Sequence, residues 1–267
     1  TWYLGKVLMK ILFVGEIVAR PGRQTVKEVL PEIIAQEKPD LVLANAENIA
    51  HGRGATTGTI NEMIDVGVEF FTGGDHLFWH KGFENEIDDL PIIRPANIMD
   101  GDYPGKGYEI LETDAGKVLI INVMAIENHH FSKETLDNPY LVAERIIEEE
   151  GKNVDVILVD FHAEYTSDKH AMGFYLDGRA DVVLGTHTHV PTSDPRVLPE
   201  GTLYVTDVGM CGNTDSVLGV KKEIILNRVI HGAKERFEWA LEGRRAFRSV
   251  LIDTTAKEIR RLDKQVT

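Results

Sequence analysis

The alternation of short apolar runs with helical patterns constrains the fold of this chain more than any other feature of its sequence. Apolar runs of strand length recur along the chain, and the segments between them carry helical periodicity; residues 26, 29, 30, 33 and 34, for example, are apolar and share one helix face. This alternation predicts an α/β layered fold. The predicted strands cover residues 11–15, 41–46, 69–72, 108–111, 118–123, 156–160, 182–185, 202–206, 247–253 and 258–262, and the predicted helices cover residues 25–37, 60–66 and 138–150.

Size and composition fit one globular domain. A chain of 267 residues that is 43% hydrophobic and 27% charged can bury a sizeable core. We expect a single domain over residues 9–267, with residues 1–8 as an N-terminal extension or an expression remnant. The single cysteine, Cys211, excludes an internal disulfide framework and fits the reducing cytoplasm, which is the expected location. No apolar stretch approaches the roughly 20 residues of a membrane span, so no membrane partner is expected.

Side chains typical of metal ligands follow five of the predicted strands. Open α/β sheets place their ligands at the carboxyl ends of the strands, so we expect these side chains to meet at one sheet edge. Two histidines one residue apart in an extended segment also point the same way. The residues at these strand ends are Glu16, then Glu47 and Asn48, then Asp75 and His76, then Asp160 and His162, and finally His187 and His189.

The chemistry of this set indicates a transition metal. Histidine nitrogen together with carboxylate and amide oxygen suits manganese, iron or zinc, whereas an all-oxygen calcium site would not recruit histidines. The set exceeds the roughly four ligands that one zinc ion takes and suffices for two ions, which can clamp a phosphoryl group and deprotonate the attacking water. The net charge of −14 argues against a broad basic surface for nucleic acid, but a small phosphorylated substrate held by metal is compatible with it.

The motifs GE, NAEN, GDH, DFHAE and GTHTH, with ILFVG at the start, RPAN at 94–97, PGKG at 104–107 and TDVGM at 206–210, carry a family resemblance. In this combination the chain resembles the YmdB-like branch of the calcineurin-like metallophosphoesterases, from Met9 to about Leu262. The resemblance implies two facing mixed β-sheets flanked by helices, a four-layer α/β/β/α sandwich. It also implies a phosphodiesterase with two metal ions, iron or manganese or both, with zinc as an alternative. The implied reaction is attack by a metal-bridged hydroxide on 2′,3′-cyclic nucleotides or RNA-derived ends.

The resemblance also implies a role for each ligand. His76 matches the catalytic histidine, which protonates the leaving oxygen or steadies the charge of the transition state; the alternative is that His76 only orients Asp75. The first ion would be held by Glu16, His189 and a bridging Glu47, and the second by Glu47, Asn48, Asp75, His162 and His187.

Two positions depart from the pattern of the family. Glu16 stands where the family usually has aspartate, and Asp75 where it usually has asparagine. The extra carboxylate lowers the positive charge of a two-ion centre by one unit. We therefore hypothesise tighter metal binding or a ferric ion at one site, together with weaker attraction for an anionic diester. The departures leave open a phosphomonoesterase, or a metal-binding regulatory or interaction protein with little turnover; a Rossmann-type oxidoreductase is excluded because no GxGxxG turn follows the first strand.

Several other residues have two interpretations. His129, His130 and His51 could contact a substrate, although loop histidines are more often exposed. Trp79 and Phe78 could form a stacking wall for a base, but core packing is the favoured interpretation. A buried thiol rather than a nucleophile is expected at Cys211, residues 52–54 do not form a nucleotide loop, and a homo-oligomer is expected. Ordinary surface or partly buried roles are expected for His80, His170 and His231.

Overall fold

The computed structural model describes residues 9–99, 103–126 and 135–267, which form sixteen strands and five helices. The helices are α1 (Ala19–Glu37), α2 (Thr57–Ile64), α3 (Pro139–Glu150), α4 (Thr166–Tyr175) and α5 (Lys222–His231). The strands are β1 (Lys10–Val14), β2 (Glu16–Ile17), β3 (Leu41–Asn45), β4 (Phe70–Thr72), β5 (Ile92–Ile93), β6 (Tyr108–Thr113), β7 (Gly116–Met124), β8 (Val156–His162), β9 (Val182–Thr186), β10 (Arg196–Val197), β11 (Leu203–Val205), β12 (Met210–Asn213), β13 (Arg245–Phe247), β14 (Ser249–Asp253), β15 (Glu258–Arg261) and β16 (Lys264–Val266).

The strands form two six-stranded mixed sheets and one small sheet. The first sheet has the order β15-β14-β1-β3-β4-β5, in which β1, β3, β4 and β5 are parallel and β14 pairs antiparallel with β1. The second has the order β10-β11-β9-β8-β7-β6, with β7, β8, β9 and β11 parallel. The small sheet, β16-β13-β12-β2, carries Glu16 on its β2 edge.

The two large sheets face each other across a dry core. Alternate side chains of β1, such as Ile11 and Phe13, pack with Leu158 and Leu184 of the second sheet. The other face of each sheet is covered by helices: α1 and α2 lie on the first sheet and α3 and α4 on the second. Because strand side chains alternate between faces, each sheet buries both faces and its central strands are apolar almost throughout. The prediction of a four-layer α/β/β/α sandwich is confirmed.

Some elements differ from those expected. Helix α1 begins at Ala19, six residues earlier than predicted, because Pro21 falls in the first turn, where its missing N–H needs no partner. Helices α4 and α5 and the short strands β2, β5, β10, β12, β13 and β16 were not predicted. The short strands are defined by backbone pairing with distant segments, as where Met210 pairs with Glu16, and such pairing leaves no local pattern. Within the described stretches, no helix is both long and apolar enough to cross a bilayer.

The strand ends that carry the candidate ligands belong to two sheets. Strands β3 and β4 lie in the first sheet and β8 and β9 in the second, while Glu16 follows β1 on the small β2 strand. The prediction that all five strand ends share one sheet edge is therefore wrong. They meet instead because the carboxyl edges of two facing sheets lie side by side.

Candidate metal centre

A buried carboxylate, Asp160 at the end of β8, ties the two sheets together beneath the site. Its Oδ2 accepts hydrogen bonds from Asn45 Nδ2 at 3.0 Å and Thr72 Oγ1 at 2.5 Å, both in the first sheet. Its Oδ1 accepts from Thr186 Oγ1 at 2.8 Å in the second sheet. Burial raises the pKa of Asp160 above its ordinary value, although these donors oppose the shift. Four strand ends are thus held in register around one side chain, which the sequence placed at a strand end but not in the site.

One half of the site is a triangle of Asp75, His162 and His187. His162 Nε2 lies 3.1 Å from Asp75 Oδ1 and 3.0 Å from His187 Nδ1. The other nitrogen of His162 contacts Thr186 Oγ1 at 3.0 Å, so the Asp160 network sets the orientation of this ring. His187 Nε2 lies 3.1 Å from Glu164 Oε2. Two imidazole nitrogens and a carboxylate oxygen that converge in this way form a set of metal ligands.

Glu47 and His76 adjoin this triangle. Glu47 Oε1 accepts a hydrogen bond from the backbone N–H of His76 at 2.6 Å and lies 2.8 Å from its Nδ1. The Nδ1 of His76 is also 3.5 Å from Asp75 Oδ1. Glu47 is fully buried, whereas the His76 side chain keeps 15% of its surface exposed. His76 is therefore held through Nδ1 at the boundary between the buried carboxylates and solvent.

The other half of the site is formed by Glu16, Asn48 and His189. Glu16 Oε2 lies 2.8 Å from His189 Nε2, and Glu16 Oε1 is 3.6 Å from His162 Nδ1, which links the two halves. Asn48 Nδ2 lies 3.2 Å from His189 Nε2. His189 Nδ1 contacts the backbone oxygen of Leu218 at 3.1 Å, which fixes the face that its Nε2 presents. All eight predicted site residues therefore lie in one contiguous cluster.

The loop that carries His187 and His189 is not extended. Both residues have positive φ, 97° for His187 and 65° for His189, which is costly for residues other than glycine. The two rings consequently serve different halves of the site, and the prediction that they point the same way is wrong. Between them, Thr188 donates from its N–H at 3.2 Å and from Oγ1 at 2.6 Å to Asp207 Oδ2.

The strained loop rests on a buried ion pair. Asp207 Oδ2 also accepts from Lys169 Nζ at 2.6 Å, and both side chains are almost fully buried. Asp207 Oδ1 accepts from the N–H of Gly209 at 2.7 Å. A buried carboxylate with these donors is a rigid anchor, so Asp207 and Lys169 position the two histidines. The TDVGM motif marked Asp207, but nothing in the sequence indicated Lys169 as its partner.

The carboxylates of the centre have strongly shifted pKa values. Burial alone would raise the pKa of Glu16, but the facing imidazoles, above all His189, hold it at about 2. Burial raises the pKa of Glu47 well above its ordinary value, and the charge of Asp75 raises it further. Asp75 is also buried, yet its contacts with His162 hold its pKa well below the usual range. Without cations, negative charge collects on Glu16 and Asp75, and a bound cation would stabilise the ionised form of Glu47 as well.

The histidines are shifted in opposite directions. Burial, together with the neighbouring His162, lowers the pKa of His187 to about 3, so its ring is neutral at pH 7. Burial would also lower the pKa values of His162 and His189, but carboxylates raise both above the ordinary value; Asp75 acts on His162 and Glu16 on His189. Imidazoles that ligate a metal must release these protons, so metal binding competes with the carboxylates for them.

Three observations fit this cluster to metal ions. Among the described residues, the buried oxygens Glu16 Oε1 and Glu47 Oε2 accept no hydrogen bond. Carboxylate oxygens rarely stay buried without a donor or a cation. In addition, a Cβ placed on Gly74 would lie 2.5 Å from both Glu47 Oε2 and His162 Nε2, so the absent side chain leaves a small space between two ligand atoms. The donors are nitrogen and oxygen only, which suits iron, manganese or zinc.

The remaining residues singled out in the sequence lie outside the cluster. His51 and His231 are exposed, His80 contacts the backbone oxygen of Ala50, and His170 contacts Thr206. His129 and His130 lie outside the described residues. The thiol of Cys211 is buried, as expected.

The two aromatic residues after the GDH motif have different surroundings. Phe78 is partly buried and packs against Phe83 and Tyr103, so core packing is confirmed there. Trp79 is 52% exposed, and its ring lies 5.9 Å from that of His76, so core packing is wrong for Trp79.

Comparisons with known proteins find relatives over nearly the whole chain. The family model for YmdB-like proteins matches residues 12–264. A 2′,3′-cyclic-nucleotide 2′-phosphodiesterase of Bacillus subtilis (strain 168) is 42% identical over 246 residues, which are 92% of this chain and 91% of that protein. A crystal structure of a hypothetical protein from Thermus thermophilus has a TM-score of 0.88 at 37% identity and covers 97% of this chain and 100% of its own. The crystal structure of a novel phosphatase from Mycoplasma pneumoniae has a TM-score of 0.87 at 30% identity, with coverages of 98% and 94%.

Two helix-flanked sheets whose adjoining edges gather carboxylates and imidazoles define the class of the metallophosphoesterases, which are phosphoric ester hydrolases. Within that class the chain belongs to the YmdB-like family, since the family model spans nearly all of it. The predicted family and the prediction of an enzyme of this class are confirmed. The metal site is confirmed in a coarse form, as clusters of Asp, Glu and His suited to hold ions.

Proposed function

We propose that this chain is a dinuclear metal-dependent phosphodiesterase that opens 2′,3′-cyclic phosphates of nucleotides at the 2′-oxygen. The observation that carries the proposal is the convergence of two ligand clusters with His76 at their solvent boundary. The relative from Bacillus subtilis supports this substrate class, because its name describes this reaction and nearly the whole chain aligns with it.

Residues from both large sheets would hold two ions. The ions would be iron or manganese or both, with zinc as the alternative. Glu47 adjoins His162 of one half and is close enough to Glu16 of the other to be affected by its charge, so it would be the ligand shared by the two ions. Asn48 would ligate through its side-chain oxygen; its Nδ2 faces His189 here, so the amide would be turned over, which exchanges its oxygen and nitrogen. The first ion would take Glu16, Glu47 and His189, and the second Glu47, Asp75, His162 and His187. The resemblance assigns Asn48 to the second ion, although its amide lies against His189 of the first in this structure.

When bound, the ions supply Lewis acidity toward the phosphate and lower the pKa of the attacking water. Among the side chains of the protein, His76 is the one that transfers a proton to the leaving oxygen. Its Nδ1 is held by Glu47, which leaves the buried Nε2 as the atom that would deliver a proton to the departing 2′-oxygen. Water adds to phosphorus, the bond to the 2′-oxygen breaks, and the products are a 2′-hydroxyl and a 3′-phosphomonoester.

The test is metal-dependent turnover of adenosine 2′,3′-cyclic phosphate, with a phosphomonoester, p-nitrophenyl phosphate, assayed in parallel. Protein stripped of metal is reloaded with Mn²⁺ or Fe²⁺ and compared with the His76→Ala variant. The exposed residue His231, at the end of α5, provides the matched control His231→Ala. We expect His76→Ala to lower kcat by about 10²- to 10⁴-fold while it still binds two ions, and His231→Ala to behave as wild type.

Two outcomes would contradict the proposal. A protein that binds two ions and turns over neither substrate would be a metal-binding regulatory or interaction protein. One that prefers the monoester would be a phosphomonoesterase. If diester turnover occurs but the ions bind unusually weakly, the hypothesis that Glu16 and Asp75 tighten metal binding is wrong, while the phosphodiesterase stands.

The setting of the enzyme is part of the same proposal. We propose that residues 9–267 form one catalytic domain that acts in the cytoplasm; the single buried cysteine supports that location. A homo-oligomer is supported by helix α5, which exposes Leu226, Val229 and Ile230 at 51%, 77% and 66%. Light scattering before and after Val229→Lys tests the oligomer. RNA ends with a 2′,3′-cyclic phosphate are substrates of the same chemistry, and a cyclic-phosphate-terminated oligonucleotide assayed beside the mononucleotide tests them.

A further inference from the structure

A hollow lined with aromatic and basic side chains opens beside His76. Its volume is about 550 Å³, and its walls include Arg53, Trp79, Arg228, Arg236, Phe237 and Trp239. The ring of Trp79 in this wall lies 5.9 Å from the ring of His76, edge to face. One wall residue of the hollow therefore lies next to the proposed proton donor.

The rings of Trp79 and Phe237 form a slot that already holds a planar cation. The guanidinium carbon of Arg53 lies 4.7 Å from the centroid of Trp79 and 5.7 Å from that of Phe237. Trp79 is 52% exposed, so a large part of its surface faces solvent. A nucleobase is a flat π-system and makes the same kind of contact with aromatic faces and with guanidinium planes.

The charge of the hollow is opposite to that of the protein. The chain carries a net charge of −14, yet among the residues that the structure describes three arginines and one glutamate line this space. The glutamate, Glu235, already accepts a hydrogen bond from Asn227. Arg53 and Arg228 lie over aromatic rings. A basic concavity in an acidic protein raises the local concentration of anions, and a nucleotide is an anion with a flat base.

The hollow and the metal centre are linked by two short chain segments. Trp239 packs flat on Gly52, where a Cβ would lie 2.0 Å from the indole, and on Gly219. The neighbour of Gly219, Leu218, contacts His189 Nδ1 through its backbone oxygen at 3.1 Å. Gly52 itself follows the NAEN motif that supplies Glu47. Short chain segments thus connect the wall of the hollow with two of the candidate ligands, Glu47 and His189.

We infer that this hollow is the nucleobase subsite of the enzyme, where the base of the substrate takes the place of the Arg53 guanidinium and stacks against Trp79 and Phe237. This inference rests on the proposed function and deepens it, since it selects base-bearing cyclic phosphates over cyclic phosphates without a base. Arg228 and Arg236 add a positive field that favours the anionic nucleotide. Trp79 and Phe237 are specificity residues, and His76 and the ligands do the chemistry.

The test compares two substrates with the same five-membered phosphate ring, adenosine 2′,3′-cyclic phosphate and the base-free glycerol 1,2-cyclic phosphate. We expect Trp79→Ala and Phe237→Ala to lower kcat/KM for the adenosine substrate by about 5- to 150-fold and to leave the glycerol substrate unchanged. The Trp79→Phe variant should recover part of the loss. Phe174, on α4 and 55% exposed, provides the matched control Phe174→Ala, which should change neither substrate.

The outcomes separate this inference from the proposed function. An equal loss on both substrates, or no loss on the adenosine substrate, would overturn the subsite while cyclic phosphate hydrolysis stands. If the wild type turns over neither cyclic phosphate, the proposed function fails, and calorimetry then decides the subsite by itself. In that measurement adenosine 3′-phosphate should bind wild type more tightly than it binds Trp79→Ala, and glycerol phosphate should not distinguish them; equal affinities for adenosine 3′-phosphate would refute the subsite.

Discussion

A single methyl group at Gly74 should prevent the chain from holding two metal ions. A Cβ at this position would lie 2.5 Å from Glu47 Oε2, 2.5 Å from His162 Nε2 and 2.6 Å from His162 Cε1, where ordinary contacts begin at 3.4 Å. The ligand atoms would have to retreat by about 0.9 Å, whereas metal–ligand distances tolerate only about ±0.2 Å. The methyl would also occupy the space between a candidate bridging oxygen and a candidate ligand nitrogen.

The size of the effect follows from these distances. Changes to groups that only support metal ligands cost about 10- to 100-fold in affinity or activity, and Gly74→Ala acts on the ligands themselves. We therefore expect at least about a 100-fold loss of turnover of the cyclic phosphate and fewer than two ions bound per chain. The metal-free variant should remain folded, with overpacking lowering its free energy of unfolding by about 1–3 kcal/mol.

The assay pairs elemental analysis with turnover. Wild type and Gly74→Ala are equilibrated in a chelator-buffered metal series, and metal content, hydrolysis and the thermal unfolding of the metal-free forms are measured. Gly58→Ala is the control, since it adds the same methyl in α2 with no atom within 4 Å of the new Cβ. A Gly74→Ala protein that holds two ions at wild-type affinity and turns over normally would refute the position of the ions between Glu47 and His162.

Two further outcomes follow from contacts around the centre. Thr188→Val removes the 2.6 Å hydrogen bond from Oγ1 to Asp207 and loosens the strained histidine loop. Metal affinity measured by chelator competition should therefore fall about 10-fold, while the free energy of unfolding falls by only about 1 kcal/mol. Unchanged affinity would show that the loop needs no anchor. Burial raises the pKa of Cys211 to about 12, so the thiolate is scarce at pH 8. A thiol reagent should label one cysteine per chain in guanidinium but none in the folded protein. Rapid labelling without denaturant would contradict the buried environment of this thiol.

Much of the centre could be predicted from the sequence, because its ligands are close in sequence to apolar strands that a local pattern reveals. Glu47, Asp75 and His162 follow apolar strands directly, and the carboxyl ends of parallel strands collect at one end of a sheet. That rule brings ligands together without any knowledge of which strands are neighbours. The rule therefore identified the right residues, even though the prediction that they share a single sheet edge was wrong.

What the sequence could not reveal depends on contacts between distant segments. β1 pairs with β14 from the far end of the chain, and no local periodicity encodes that partner or the division of strands between two sheets. The positive φ of His187 and His189 could likewise not be predicted from residue type, because neither residue is glycine. This backbone conformation is held by Asp207 and Lys169, which lie elsewhere in the chain. The exposure of Trp79 depends on how segments 50–54 and 236–239 meet.

The centre lies at the seam where the carboxyl edges of the two large sheets meet. This position explains why its ligands need a separate scaffold. Glu47 and Asp75 come from the side of the first sheet and His162 and His187 from the second, so two ions would cross-link the sheets and their binding energy would add to the stability of the fold. Without ions, buried carboxylates face one another there, and their repulsion favours opening of the seam. The Asp160 network opposes this opening, because its hydrogen bonds join the same two sheets with neutral donors only. The ligands are therefore aligned by a metal-independent clamp beneath them, which makes the site ready to accept its ions in the folded chain.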